Sequence, residues 1–229
     1  MNHNPLIVAL DVETLDEAKR LVQTLGDSVD VYKIGSQLFT AYGPQAVAAV
    51  TSLGKKVFLD LKFHDIPNTV ANAVTSAVGL NVFMMTVHTI GGREMMEAAV
   101  VAARKKAEAL KISKPIIVGV TVLTSTAKDA STDALVLERA KLAKLSGLDG
   151  VVASVEETAM LRKNLGQDFI IVTPGIRPAG TDKSDQKRTA TPLQAIESGS
   201  SYLVVGRPIV AAVSPRDVAV GILKEIHRA

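Results

Sequence analysis

The sequence predicts an α/β protein whose strands and helices follow one another in regular alternation. Eight short apolar segments rich in β-branched residues alternate with eight longer amphipathic segments along 229 residues. This pattern is typical of parallel strands joined by right-handed helical crossovers. Eight such units favour a closed (β/α)8 TIM barrel, because α/β barrels of roughly 200 to 250 residues form single domains. An open doubly wound sheet is the alternative.

The eight predicted strands are short apolar runs bounded by charged, polar or glycine residues. They cover residues 6–10, 30–34, 56–61, 82–87, 116–122, 150–153, 169–172 and 202–205. Segments with apolar residues at helical spacing follow each of them. The predicted helices cover residues 14–25, 37–53, 67–79, 92–110, 133–146, 156–165, 192–197 and 215–227. No linker, repeat or low-complexity stretch divides the chain, so one domain spanning residues 1–229 is expected.

The composition excludes several classes of function. Cysteine is absent, so disulfides, thiolate nucleophiles and cysteine-based metal sites are excluded, and a cytoplasmic location is expected. No apolar run is long enough to span a membrane, and the first residues lack the pattern of a secretory signal. With a net charge of +3 and 3% aromatic residues, nucleic acid is not an expected partner. The modest positive charge suits a small anionic substrate.

Charged residues interrupt the third predicted strand, in the sequence VFLDLKFHDIPNT at residues 57–69. Asp60 and Lys62 fall on one face of this strand because side chains alternate along it. A turn after them brings Asp65 either back toward that face or out to a neighbouring subunit. A structural ion pair at a strand end is the simpler interpretation. A compact acid, base and acid array for catalysis is the other.

In a (β/α)8 barrel, catalytic residues gather at the carboxyl ends of the strands. Every predicted strand has polar or glycine residues at its end or just beyond it, and they are Asp11, Lys33, Asp60 with Lys62, His88, Thr124 with Ser125, Ser154, Thr173 to Gly175, and Gly206 with Arg207. Strand ends ordinarily meet solvent, so polarity alone indicates little. Two lysines and two aspartates at the ends of the first three strands are a specific excess. They predict one charged network at the mouth of the barrel.

The loops after the last two strands have the features of a phosphate site, which barrels often form there. The segment at residues 173–192 is long and polar, and Ile176 is its one sizeable apolar residue. In the sequence VVGRP, Gly206 permits close backbone approach and Arg207 offers a planar fork of donors to a phosphate dianion. Either loop alone is compatible with an ordinary solvated surface, but together they predict phosphate binding.

Segments spread over the whole chain resemble the orotidine 5'-phosphate decarboxylase family, bacterial type. The strongest is DLKFHDIPNT at residues 60–69. The segments LIVALD, DVYKIG, VLTS, VTPGIRP and VVGRP resemble that family in order and spacing. The resemblance implies a single-domain lyase that converts orotidine 5'-phosphate to UMP and CO2 in pyrimidine biosynthesis. It also implies a homodimer that requires neither a metal nor another cofactor.

The resemblance further implies a role for each matching residue. Lys33, Asp60, Lys62 and Asp65 match the family's charged catalytic tetrad, in which Lys62 is the proton donor. The implied substrate contacts are Asp11 and Lys33 at the ribose, Asp60 near the substrate carboxylate, Thr124 and Ser125 at the pyrimidine edge, and Arg177, Gln186, Gly206 and Arg207 at the phosphate. Asp65 and Thr69 are expected to reach the active site of the partner subunit.

The chemistry of the expected reaction fits these groups. Loss of CO2 from C6 of the pyrimidine leaves an electron pair in an in-plane orbital that the ring delocalises poorly. The ammonium of Lys62 beside C6 would stabilise this charge and then deliver its proton, while Asp60 and Asp65 keep the lysine charged and oriented. The four histidines are dispersed and form no ligand pair at helical spacing, which disfavours a metal site. Of two roles for His88, lining the barrel mouth or being buried and hydrogen-bonded, the second is expected.

Two rival functions are compatible with parts of this pattern. The first is a Mg²⁺-dependent decarboxylase of a β-keto sugar-phosphate acid, which is similar around DxKxxD. Lys33 argues against it, because that enzyme has a glutamate at this position to help hold the metal. The second is a noncatalytic sugar-phosphate-binding barrel, which the intact tetrad disfavours.

Overall fold

Eight parallel strands close into a barrel in which each strand pairs with the next and the last pairs with the first. A computed structural model describes residues 4–123, 129–178 and 189–227. The strands are β1 Leu6–Ala9, β2 Val31–Gly35, β3 Lys56–Phe63, β4 Met84–His88, β5 Ile116–Val120, β6 Gly150–Val152, β7 Ile170–Thr173 and β8 Tyr202–Val205. The predicted (β/α)8 barrel is confirmed, and the open doubly wound sheet is excluded.

Helices follow the strands and cover the outside of the barrel. They are α1 Leu15–Leu25, α2 Ser36–Tyr42, α3 Pro44–Thr51, α4 Pro67–Gly79, α5 Gly92–Leu110, α6 Thr132–Leu145, α7 Val155–Leu165, α8 Pro192–Glu197, α9 Arg207–Val210 and α10 Pro215–Ile226. The predicted bounds of α4, α5 and α8 match the structure. In the described ranges, no helix is both long and apolar enough to cross a membrane.

The single helix predicted for residues 37–53 is wrong, because the chain divides there into α2 and α3. Gly43 ends α2 with a φ of +54°, in the region that glycine adopts without a steric penalty. Pro44 then occupies the first turn of α3, where its missing N–H costs no hydrogen bond. The four-residue helix α9 was not predicted either, since one turn is too short to show a helical period.

The apolar core has two layers, because successive side chains of each strand point to opposite faces. Residues inside the barrel form the smaller layer, which contains Ile7, Ala9, Val31, Phe58, Met84, Val118, Val172 and Val204. The larger layer, with Val8, Tyr32 and Leu59 among its members, lies between the strands and the helices. Since side chains fill the barrel interior, a ligand has room only at an end of the barrel.

Two glycines differ in the space around them. A Cβ atom at Gly150, in β6, would lie 2.2 Å from the carbonyl oxygen of Ile170 in β7. The neighbour is backbone in a paired strand, so it has little freedom to move. A Cβ atom at Gly221, in α10, would meet no atom within 4 Å.

We therefore expect Gly150→Ala to lower the free energy of unfolding by about 3 kcal/mol or more, because overpacking must displace a strand. Gly221→Ala should raise it by up to about 1 kcal/mol, since alanine is the better helix former. Urea denaturation followed by circular dichroism measures both values. A Gly150→Ala protein as stable as the unsubstituted protein would contradict the close approach of β6 to β7.

Candidate active site

A cavity of about 240 Å³ opens at the carboxyl ends of the strands. Its apolar lining comes from inward-facing strand residues, which are Ala9, Phe58, Val120, Val152, Val172 and Val204. Its charged lining consists of Asp11, Lys33, Asp60, Lys62, Arg177 and Arg207. The cavity therefore combines seven of the predicted catalytic and substrate-contact residues, these six and Gly206.

The four charged residues at the carboxyl ends of the first three strands form an alternating chain. Lys33 Nζ donates to Asp11 Oδ1 at 3.1 Å, and it lies 3.8 Å from Asp60 Oδ2. Lys62 Nζ donates to the same Asp60 Oδ2 at 2.9 Å. The side chains of Lys33 and Asp60 are 12% and 13% exposed, whereas Lys62 is 39% exposed. Asp60 is thus a shielded anion shared by two cations, and Lys62 is the more accessible of the two.

Lys62 reaches this position through an irregularity in β3. Leu59 pairs with Met85 of β4, and Phe63 pairs with Val87, so residues 60–62 face a single β4 residue. Lys62 has a φ of +52°. A non-glycine residue in this region costs of order 1–2 kcal/mol. The regular alternation of side chains along a strand therefore does not by itself explain why Asp60 and Lys62 line one cavity.

Thr86 is the single β4 residue that faces this irregularity, and it was not predicted as a functional residue. Its side chain is fully buried. Thr86 Oγ1 donates to Asp60 Oδ1 at 3.0 Å and accepts from the backbone N–H of Lys62 at 2.8 Å. The feature of the sequence that could have pointed to Thr86 is its position as one polar residue inside the apolar run FMMTV.

Gly35, at the end of β2, was also not singled out. A Cβ atom at this position would lie 3.1 Å from Lys33 Nζ and 3.6 Å from Asp11 Oδ1. The absence of a side chain at Gly35 therefore leaves room for the ion pair between Lys33 and Asp11.

Asp65 and Thr69 are exposed and are not among the residues that line the cavity. Asp65 accepts a hydrogen bond from the backbone N–H of Ile66 at 2.7 Å. The adjoining Ile66 side chain is 67% exposed. Of the two orientations left open for Asp65, the structure shows the one that leads away from the cavity of its own chain.

Two arginines lie at the side of the cavity formed by the loops after β7 and β8. The side chain of Arg177 is almost fully buried and donates to the carbonyl oxygen of Ile176 at 3.0 Å. Burial, and then the positive charge of Arg207, lower the pKa of Arg177. An anion placed between the two guanidinium groups would relieve their repulsion and supply hydrogen-bond acceptors.

Three predicted contact residues, Thr124, Ser125 and Gln186, lie outside the described residues. Their proposed contacts with the pyrimidine and the phosphate therefore stay predictions. The described chain nearest to the first two, at Val122 and Leu123, lines the cavity.

His88, at the end of β4, differs from the buried and hydrogen-bonded histidine that was expected. It is half-buried, and no described residue provides a hydrogen-bond partner for its Nδ1 atom. Its ring centroid lies 5.7 Å from that of His64. Burial lowers the pKa of His88, and the positive charges of His64, Arg139 and Lys62 lower it further.

Comparisons with known proteins agree on one family over nearly the whole chain. A family model described as "Orotidine 5'-phosphate decarboxylase / HUMPS family" matches residues 4–222. A Moorella thermoacetica protein named orotidine 5'-phosphate decarboxylase is 48% identical over 231 residues, which cover 97% of this chain and 92% of the relative. A Marinomonas protein of the same name is 47% identical over 220 residues, covering 93% of this chain and 92% of the relative.

Solved structures agree with the sequence comparisons. The crystal structure of orotidine 5'-phosphate decarboxylase from Lactobacillus acidophilus has a TM-score of 0.85 and 40% identity, covering 97% of this chain and 98% of that one. A structure from Geobacillus kaustophilus, described as an uncharacterized conserved protein, has a TM-score of 0.83 and 34% identity. It covers 97% of this chain and 100% of its own.

The environment of His88 predicts a pH dependence of stability. Its ordinary pKa of 6.5 applies to the unfolded chain, and the pKa in the folded chain is lower. Between the two values only the unfolded chain binds the proton, so the free energy of unfolding falls as the pH falls through this window. His88→Asn should reduce this fall, measured by urea denaturation between about pH 8 and about pH 5. His227→Asn removes an exposed histidine and is the control for the loss of one imidazole.

Proposed function

The chain belongs to the orotidine 5'-phosphate decarboxylase / HUMPS family, and we propose that its Lys62 acts at C6 of orotidine 5'-phosphate. Lys62 stabilises the carbanion that forms at C6 when CO2 leaves, and then protonates it. The protein is a carboxy-lyase that forms UMP in pyrimidine biosynthesis. The observation that carries the proposed role of Lys62 is its ion pair with Asp60, 2.9 Å long, at the wall of a cavity with an apolar lining.

Lys62 meets the main requirement of the reaction, which is a fixed positive charge beside the developing carbanion. Its side chain lines the cavity, and the ion pair with Asp60 fixes the position of its ammonium group. A preorganised charge of this kind stabilises the transition state without reorganisation during the reaction. The same ammonium carries the proton that replaces CO2, so one residue serves both steps.

The remaining charged residues fit the rest of the substrate. Lys33 and Asp11 form an ion pair, 3.1 Å long, at the cavity edge, and this pair offers a donor and an acceptor to ribose hydroxyls. Arg177 and Arg207 offer positive charge and hydrogen-bond donors to a phosphate dianion. Binding energy from a phosphate remote from C6 can be used to orient the pyrimidine against Lys62.

Lys33 also disfavours the Mg²⁺-dependent rival. Its ammonium stands between the carboxylates of Asp11 and Asp60, the two anions among the described residues that line the cavity. A divalent ion there would meet the repulsion of Lys33, and of Lys62 on the far side of Asp60. The relatives named orotidine 5'-phosphate decarboxylase, at 47–48% identity, support the same choice.

We further infer that the chain acts as a homodimer in which Asp65 and Thr69 enter the partner's active site. Both residues are exposed, and both lie outside the cavity of their own chain. Two large apolar side chains, Ile66 next to Asp65 in the sequence and Ile90 two positions after the end of β4, are 67% and 56% exposed, and apolar surface of this kind favours a protein partner. We also infer that residues 1–229 are one decarboxylase domain and that it acts in the cytoplasm, in keeping with its lack of cysteine.

The first experiment follows the loss of orotidine 5'-phosphate absorbance with purified protein in EDTA, with UMP identified as the product. Conversion that EDTA leaves unchanged is the expected result. No conversion in EDTA, followed by activity on a β-keto sugar-phosphate acid once Mg²⁺ is restored, would establish the rival function.

In the same assay Lys62→Ala should lower kcat roughly 10³-fold or more, because it removes the proton donor.

Lys56→Ala is the matched control for Lys62→Ala. Lys56 is an exposed lysine at the opposite end of the same strand, and its loss should leave kcat unchanged. A Lys62→Ala protein that binds UMP and turns over at the full rate would overturn the proposed mechanism.

The shared active site can be tested by mixing two inactive variants. Lys62→Ala and Asp65→Ala chains each lack one group that every site of a homodimer requires. A mixed dimer contains one site with both substitutions and one site with neither. After equal mixing and subunit exchange, about a quarter of the unsubstituted activity should return, since about half of the dimers are mixed. No recovery in mixtures shown to contain mixed dimers would contradict the assignment of Asp65 to the partner's site.

A further inference from the structure

Thr86 lies where the pairing between β3 and β4 becomes irregular. Three β3 residues, 60–62, are set against this one residue of β4. In a regular parallel ladder the N–H groups of a strand donate to carbonyl groups of its neighbours. At Lys62 the N–H group donates instead to the hydroxyl of Thr86, at 2.8 Å. The threonine side chain thus takes the place of a backbone acceptor.

The same hydroxyl also fixes Asp60. Thr86 Oγ1 lies 3.0 Å from Asp60 Oδ1. A hydroxyl has one proton to donate, and an ionised carboxylate only accepts, so the proton points to Asp60 and a lone pair of Oγ1 receives the Lys62 N–H. Thr86 has no exposed surface, so bulk water does not compete for either bond.

These bonds divide the two carboxylate oxygens of Asp60 between separate partners. Oδ1 accepts from Thr86, while Oδ2 accepts from Lys62 and lies 3.8 Å from Lys33 Nζ. Rotation of the carboxylate would break the bond to Thr86. At the same time, the bond from the Lys62 N–H stabilises a backbone whose φ of +52° is unfavourable for lysine.

We propose that Thr86 is a positioning residue for the decarboxylation, which holds both the carboxylate of Asp60 and the backbone of Lys62. This inference rests on the proposed function, because it concerns the residues assigned to that reaction. Threonine suits the role, since its branched side chain is restricted in χ1 and its hydroxyl both donates and accepts.

The test compares two substitutions at Thr86 with one control. Thr86→Val keeps the shape and removes the hydroxyl, whereas Thr86→Ser keeps the hydroxyl and removes a methyl group. Thr158→Val removes another fully buried threonine hydroxyl, which donates to the carbonyl oxygen of Ser154 at 3.0 Å in α7. Thr158 lies in the helix α7 and is not among the described residues that line the cavity, so this control should lose stability but keep its kcat.

Thr86→Val should lower kcat roughly 100-fold with little change in KM, because a small displacement of a catalytic group is costly while the phosphate and ribose contacts remain. Thr86→Ser should retain most of the turnover. Should Thr86→Val not fold, Thr86→Ala takes its place. Full turnover in Thr86→Val, or an equal loss in Thr86→Ser, would overturn the inference, since the hydroxyl would then not be the group that matters.

A second measurement does not depend on the substrate. Hydrogen exchange at the Lys62 amide, followed by NMR, should be faster in Thr86→Val than in the unsubstituted protein and slow in Thr86→Ser. Unchanged exchange in Thr86→Val would overturn the role of Thr86 whatever the reaction is. An unsubstituted protein that does not convert orotidine 5'-phosphate would instead overturn the proposed function, so the two failures are distinguishable.

Discussion

The site depends on the ion pairs and the hydrogen bond made by the carboxylate of Asp60. Two lysines share one of its oxygens and a buried threonine holds the other. A carboxylate this deeply placed would be costly without partners, and two ammonium groups this close would repel each other without it. Each group therefore requires the others, and together they hold a fixed charge beside an apolar lining.

The barrel fold makes this arrangement possible. The strands are parallel, so their carboxyl ends meet at one mouth, and residues far apart in sequence become neighbours. Asp11, Lys33 and Asp60 come from the ends of three successive strands. The arginines after β7 and β8 complete the same cavity from the other side, because β8 closes onto β1. The closure of the sheet thus brings the proposed phosphate end and the proposed reaction centre together.

The strand and helix alternation was sufficient to predict the fold, since period and spacing are properties of the sequence itself. It was also sufficient to predict that Asp11, Lys33, Asp60 and Lys62 share the mouth, because parallel topology places strand ends together. The division at Gly43 was missed although the dipeptide Gly43-Pro44 is typical of turns, because the apolar helical spacing continues on both sides of it.

The irregularity of β3 at Lys62 could not be predicted, because a register shift is a property of two strands, β3 and β4, and neither sequence alone contains it. Thr86 was missed for the same reason, as its partners lie 24 and 26 positions away. The direction of Asp65 likewise depends on the tertiary turn that follows β3. Sequence patterns therefore located the charged groups, while their exact bonds required the packed structure.

Because the charged groups differ in exposure, dissolved ions should affect them unequally. Mobile ions screen charges that face water far more than charges enclosed by protein. The side chains of Lys33 and Asp60 are largely enclosed, whereas that of Asp11 is 55% exposed and Arg207 lies at the exposed rim. Ionic strength should therefore act mainly on the capture of an anionic ligand at the rim, and the field inside the cavity should stay nearly constant.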